Sequence, residues 1–238
     1  MENCVGVIGG MGPKATVDFY NLVTTKTKAE KDQDHVNLLI LSDPKMPDRT
    51  AAILSKDPKQ IENVYNRLYK NAKVLEDAGC KAICITCNTA HYFADLIKDK
   101  LKIPIIHMIN ETAKEVKNKY GEKAKIGILA TDGTIKTELY QKALEKEGLL
   151  SYIPSNETQK LVMFEIYDRI KSGKKADMEK WNIIEKELVD NNCVGAILGC
   201  TELSVINREE KLNNMYIDPL EVLADRTLSF IENLKKNE

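Results

Sequence analysis

Long apolar runs are missing from this sequence. No stretch approaches the roughly 20 residues a membrane helix needs, and the opening "MENCVGVIGGMGP" has neither the basic region nor the apolar run of a secretion signal. A cytoplasmic protein with no membrane contact is therefore expected. Excess charge of either sign is missing too: 35 Lys and Arg stand against 36 Asp and Glu, for a net charge of −1. That balance points away from nucleic acid as a partner and away from an acidic disordered tail. Histidine is scarce, with three residues and no metal-ligand spacing among them. His91 and His107 are expected to be structural, and His35 to lie in a loop.

What is present is a chain of 238 residues, 43% hydrophobic and 30% charged, long enough for one large domain or two small ones. Short β-branched runs recur and are mostly followed by polar helical patterns. Strands are expected at 4–8, 36–41, 81–86, 103–108, 124–130, 194–199 and 215–219. Helices are expected at about 13–29, 58–78, 89–100, 111–119, 135–147, 158–171, 177–191 and 220–235. Apolar strands joined by amphipathic helices indicate parallel sheets covered on both faces, the α/β class.

The order also repeats. "VGVIGGMGPKAT" (5–16) resembles "IGILATDGTIKT" (126–137), "CITCNTA" (84–90) resembles "ILGCTEL" (197–203), and "IIHMINETA" (105–113) resembles "YIDPLEVLA" (216–224). Three pairs in one order favour duplication. The expected architecture is two similar, pseudo-symmetric α/β domains, 1–110 and 111–218, each a parallel sheet flanked by helices, facing each other across a cleft. The terminal segment 219–238 is expected to pack back onto the first domain.

Six cysteines in a protein of a reducing compartment read as free thiols. Cys80, Cys84 and Cys87 have a spacing used for iron–sulfur clusters, but the residues between them favour an extended strand. Seven residues at about 3.3 Å each would separate the outer two by about 23 Å, too far for one metal centre. Cys4, Cys80, Cys84 and Cys193 therefore read as packing residues. Cys87 and Cys200 differ. Each ends an apolar strand and precedes small polar residues, Cys87-Asn88-Thr89 and Cys200-Thr201-Glu202. Ligands of open α/β sheets bind just beyond the carboxyl ends of the strands. A following helix N-terminus would lower a thiol pKa there, and Asn88, Thr89 and Thr201 could donate hydrogen bonds to an anionic substrate. Two opposed thiols suit inversion of a stereocentre, one removing a proton while the other returns one to the opposite face.

"GGMGPKAT" (9–16) misses the Gly-Lys-Ser/Thr core of a phosphate loop and reads instead as a glycine-rich turn into a helix started by Pro13. Its free main-chain N–H groups could meet a carboxylate, with Met11 on the cleft wall. Arg49 lies among Pro44, Pro47 and Asp48, in an expected loop, and Lys171 near a helix end before Gly173.

With "GGMGPKATVDFY" (9–20), "MPDRTAAIL" (46–54), "CNTAH" (87–91), "IKSG" (170–173) and "GCTEL" (199–203), the chain resembles the cofactor-independent aspartate/glutamate racemase superfamily, most of all its aspartate racemases. The motifs span nearly the whole chain in order. The resemblance implies a two-domain isomerase, a homodimer that uses neither pyridoxal phosphate nor metal and acts on a dicarboxylic amino acid. It implies Cys87 and Cys200 as catalytic thiols, Arg49 as a carboxylate ligand, and Lys171 or its neighbour Arg169 as a second one. Substrate contacts are expected from Met11, Arg49, Asn88, Thr89, Lys171, Thr201 and Glu202. A hydantoin racemase, a maleate isomerase or a non-catalytic dicarboxylate-binding protein are the alternatives.

Overall fold

The computed structural model describes residues 2–236, which form two four-stranded, wholly parallel sheets flanked by helices. The first sheet comprises β1 (Val5–Gly9), β2 (Leu38–Ser42), β3 (Ala82–Ile85) and β4 (Ile105–Ile106), in the order β2-β1-β3-β4. The second comprises β5 (Lys125–Ala130), β6 (Leu150–Tyr152), β7 (Gly195–Gly199) and β8 (Tyr216–Ile217), in the order β6-β5-β7-β8. The two orders are the same permutation, so the sequence repeats correspond to repeated sheets, with β3 equivalent to β7.

The central strands are buried along their length because helices cover both faces. Around the first sheet run α1 (Pro13–Lys26), α2 (Arg49–Ser55), α3 (Pro58–Asp77) and α4 (His91–Ile97). Next comes α5 (Met108–Tyr120), ahead of the second sheet's α6 (Asp132–Lys136), α7 (Leu139–Lys146), α8 (Asn156–Phe164), α9 (Met178–Asp190) and α10 (Thr201–Glu210). The last helix, α11 (Pro219–Lys236), packs on α1 and α5. Its Leu220, Leu223, Ala224 and Ile231 join Val5, Val7, Phe19 and Val23 in one buried cluster, so it closes a face of the first sheet. Residues 237 and 238 of the expected terminal segment lie outside the described residues.

Several elements depart from the sequence expectation. The loop expected at Arg49 is helical from that residue on: Asp48 caps α2 by accepting the Ala51 N–H at 2.7 Å. The helix expected over 135–147 is two helices, broken at Glu138, whose φ is +56°. The helix expected over 158–171 starts as α8 and widens into a π-helical turn over Glu165–Ile170, which carries Lys171 at its end. Helix α10 and strand β6 have no counterpart in the expected elements.

Candidate active site

Strand order reverses between β1 and β3 in one sheet and between β5 and β7 in the other, which opens a crevice at the carboxyl end of each pair. Those two ends meet. Hydroxyls join across the junction, with Thr50 donating to Thr131 at 3.1 Å and Thr89 lying 2.9 Å from Thr134. Tyr140 donates to the Asn88 amide oxygen at 2.5 Å, and Arg208 of α10 pairs with Asp18 of α1 at 2.7 Å.

At this junction lies a cavity of about 330 Å³. Its wall comes from the turn after β1 (Gly10, Met11, Gly12), the segment after β2 (Pro44, Met46, Asp48, Arg49), the π-turn end (Ile170, Lys171) and the start of α10 (Thr201, Glu202). The turn can form only with glycine. Gly10 has φ +86°, and a Cβ there would sit 2.4 Å from the Asp43 nitrogen. Thr16 holds the turn by accepting the Gly10 N–H at 2.8 Å.

Both thiols lie just beneath this wall rather than on it. Cys87 is 5% exposed and Cys200 is 7% exposed. Cys87 follows β3, packed with Met11 and Met46, and Cys200 immediately follows β7 as the residue that starts α10. The Arg49 side chain is buried beside Cys87, its guanidinium donating to the main-chain oxygens of Pro47 at 2.9 Å and Met46 at 3.4 Å. Burial alone would lower the Arg49 pKa, but the neighbouring Cys87 and Asp48 outweigh it and hold the guanidinium above its usual value.

The Cys200 thiol behaves unlike the sequence expectation. It reaches the Glu202 carboxylate at 2.9 Å, and Glu202 binds Lys171 through its other oxygen at 3.0 Å. Burial, and after it the Glu202 charge, pushes the thiol well above the usual cysteine range; Lys171 and the Glu202 main chain pull the other way without prevailing. Sitting at a helix start therefore does not activate Cys200 by itself. Burial would lower Lys171, yet Glu202 and the two sulfurs keep it above its ordinary value.

Other expected site residues divide. Met11, Arg49, Lys171, Thr201 and Glu202 converge on the cavity. Asn88 is buried behind it, its oxygen taken by Tyr140 while its amide nitrogen has no partner. The Thr89 hydroxyl belongs to the threonine junction. Arg169 turns away to donate to the Lys175 carbonyl, so of these two neighbours Lys171 is the one that lines the cavity. Sequence reasoning missed Asp48, a cavity residue whose place before a helical run was the available signal, and Tyr167. The Tyr167 ring lies 5.3 Å from the Lys171 ammonium, four residues earlier and one turn away, and its hydroxyl donates to Asp48 at 3.3 Å. Cys80 and Cys84 face opposite sides of the first sheet: Cys80 lies 4.0 Å from Cys4, and Cys84 donates to the Gly6 carbonyl. Cys80 and Cys84 therefore do not point toward one centre.

His91 anchors the Cys87 turn from below. Its Nδ1 lies 2.9 Å from the Cys87 carbonyl, and its Nε2 accepts the Met108 N–H at 3.2 Å. The neutral ring with a proton on Nδ1 satisfies both contacts, and a second proton on Nε2 would break one. Burial pulls its pKa from 6.5 down to about 3. A folded-state pKa below the unfolded one means stability is complete above the unfolded value and is lost as pH falls below it. The melting temperature should drop as pH falls from about 6.5 to about 3, a loss of roughly 3–5 kcal/mol over that window. In His91→Gln that acid-side slope should flatten; a slope equal to the wild type's would assign the acid sensitivity to other groups.

Comparison with known proteins gives the geometry a lineage. Residues 8–227 match the Asp/Glu/hydantoin racemase family. The chain belongs to that family. An aspartate racemase from Picrophilus torridus has a solved structure with 30% identity and a TM-score of 0.77, covering 96% of this chain and 94% of that one. An aspartate racemase homologue from Pyrococcus horikoshii OT3 aligns over 97% and 99% of the two chains at 25% identity and a TM-score of 0.77. Among curated relatives, the broad specificity amino-acid racemase RacX of Bacillus subtilis (strain 168) is 30% identical over 148 residues, 60% of this chain and 61% of RacX. A glutamate racemase of Limosilactobacillus reuteri (strain DSM 20016) is 31% identical over 173 residues, 69% of this chain and 61% of that protein. The match thus spans about three fifths of the length of these two curated relatives.

Proposed function

We propose that the protein interconverts L- and D-aspartate, with glutamate as a second substrate, using Cys87 and Cys200 as opposed acid/base groups and no pyridoxal phosphate. The observation that carries this reading is the placement of one cysteine after each of the equivalent strands β3 and β7, behind a single cavity edged by Arg49 and Lys171. In the proposed reaction a thiolate on one side removes the α-proton and the thiol opposite protonates the other face. For the other enantiomer the roles exchange.

The α-proton is a weak acid, so the enolate-like transition state needs stabilisation. Two buried donors without partners, Arg49 Nε and the Asn88 amide nitrogen, suit a substrate carboxylate. Burial costs such groups free energy until a ligand satisfies them, and the water-poor site strengthens each contact made there. The cysteines must come into contact with a substrate that enters the cavity, so side chains of the wall, Met11 among them, give way on binding. The same reading carries with it a cytoplasmic protein that is a homodimer, and sedimentation of the purified protein at micromolar concentration checks the dimer.

The test is incubation with L-aspartate and no added cofactor, followed by chiral chromatography. D-aspartate should accumulate until the enantiomers are equal. Binding without conversion would favour a dicarboxylate-binding protein, and turnover of hydantoins or maleate instead would move the activity elsewhere on the same scaffold.

A second reading, a broader amino-acid range, has one specific observation in its favour. The Lys171 charge is already compensated by Glu202, so a second substrate carboxylate must compete with that ion pair. The similarity to RacX points the same way.

A further inference from the structure

Among the site residues, Glu202 stands out as the one whose carboxylate contacts both an acid/base thiol and a cation. We propose that Glu202 is a positioning residue that sets the resting protonation of the cysteine pair, holding Cys200 as the thiol so that Cys87 supplies the thiolate. This rests on the racemase reading for its meaning in catalysis, but not for its test. The geometry is asymmetric although the sheets are not. Cys200 faces Glu202 Oε2 at 2.9 Å, and Glu202 Oε1 engages Lys171 at 3.0 Å. Cys87, at the equivalent position, faces the buried guanidinium of Arg49.

A carboxylate can only accept from the Cys200 sulfur, so the contact exists when the proton is on sulfur and becomes repulsive when it leaves. A guanidinium has the opposite preference and stabilises a thiolate. The other groups facing these sulfurs do not reverse the contrast. The Lys171 ammonium acts on both, but toward Cys200 it is neutralised by Glu202. Tyr140 and Tyr167 also face Cys200, and burial keeps both phenols protonated and uncharged.

The proton count follows. Cys87 as thiolate takes the α-proton and becomes a thiol, while Cys200 gives its proton to the opposite face and becomes a thiolate. Each turnover in that direction leaves Cys200 charged beside Glu202, and the resting form returns when Cys200 recovers a proton from solvent and Cys87 releases the one it took. The free enzyme therefore favours one protonic form, and one enantiomer enters the resting enzyme more readily than the other.

The experiment is alkylation of the whole protein by iodoacetamide over a range of pH, with each cysteine quantified by mass spectrometry. Both residues are buried, 5% and 7% exposed, so the pH midpoint of each thiol's own profile, in which access cancels, is read beside the rates. Near neutral pH Cys87 should react at least about tenfold faster than Cys200, because only the thiolate reacts. In Glu202→Gln the midpoint of Cys200 alkylation should fall by roughly 1–3 pH units, while the Cys87 profile serves as internal reference. Lys171→Met leaves Glu202 unpaired and should move the Cys200 midpoint up, opposite to Glu202→Gln, so a loss of folding in one variant leaves the other to decide. Equal wild-type rates, or a Cys200 midpoint that neither variant moves, overturns the proposal. Because alkylation is read without turnover, a failed racemase assay would overturn the activity and not this assignment.

Discussion

Cys87→Ser and Cys200→Ser are each expected to reduce aspartate racemisation by roughly 10²–10⁴-fold, the usual worth of a positioned acid/base group. Serine fits where cysteine sat, so the fold is kept, but its hydroxyl is a far poorer base at neutral pH. The loss should be in kcat more than in KM, since neither sulfur is asked to bind substrate. The two variants should not be equivalent in every assay. With one thiol left, a variant can still remove the α-proton from the enantiomer that presents it to that thiol, so exchange with solvent should survive for one enantiomer in Cys87→Ser and for the other in Cys200→Ser. If both variants racemise aspartate near the wild-type rate, the cysteines are packing residues and the base lies elsewhere.

Arg49→Ala carries the second large effect. A charge-assisted contact of guanidinium to carboxylate contributes about 1.5–3 kcal/mol, or one to two powers of ten in kcat/KM. Arg49→Lys should recover only part of it, because an ammonium cannot make two parallel bonds to one carboxylate. A melting curve is needed beside the kinetics, since Arg49 also donates to the main chain of Met46 and Pro47 and starts α2. Alanine as a substrate separates the two ranges proposed for the enzyme. It should be poor if Lys171 leaves Glu202 for a second carboxylate, and comparable to aspartate if the ion pair stays closed.

Much of the fold was legible because the central strands are apolar on both faces. "VGVIG", "AICI" and "GAILG" need no partner information to read as buried parallel strands, and the doubled order of motifs gave the doubled sheet. What was hidden had no contrast between faces. The residues Thr201 to Ile206 of α10 are all buried, so the first turns of that helix show no polar stripe. Strand β6 is three residues long, with Leu150 exposed, and α2 follows prolines that mask its Asp48 cap.

The site divides in the same way. The sequence placed Cys87, Cys200, Arg49 and Lys171 in one region, because strand ends and family motifs are local features. It did not show that Glu202 bridges Lys171 to Cys200, or that Tyr140 and Tyr167 reach the same place, since those contacts arise only when distant segments are packed. The expectation that a helix start lowers both thiols failed at Cys200 for a physical reason. Burial of the thiol, and after it the Glu202 carboxylate at 2.9 Å, outweigh the partial charge of a helix terminus.

The central claim, two thiols acting from opposite faces, is tested most directly by racemisation of L-aspartate in deuterium oxide, stopped while conversion is still small. The D-aspartate formed should carry solvent deuterium at its α-carbon, while the recovered L-aspartate should carry almost none, because the group that removes the proton is not the group that returns one. Deuterium in recovered L-aspartate at a level matching that in the product would mean one group serves both faces, and would contradict the account.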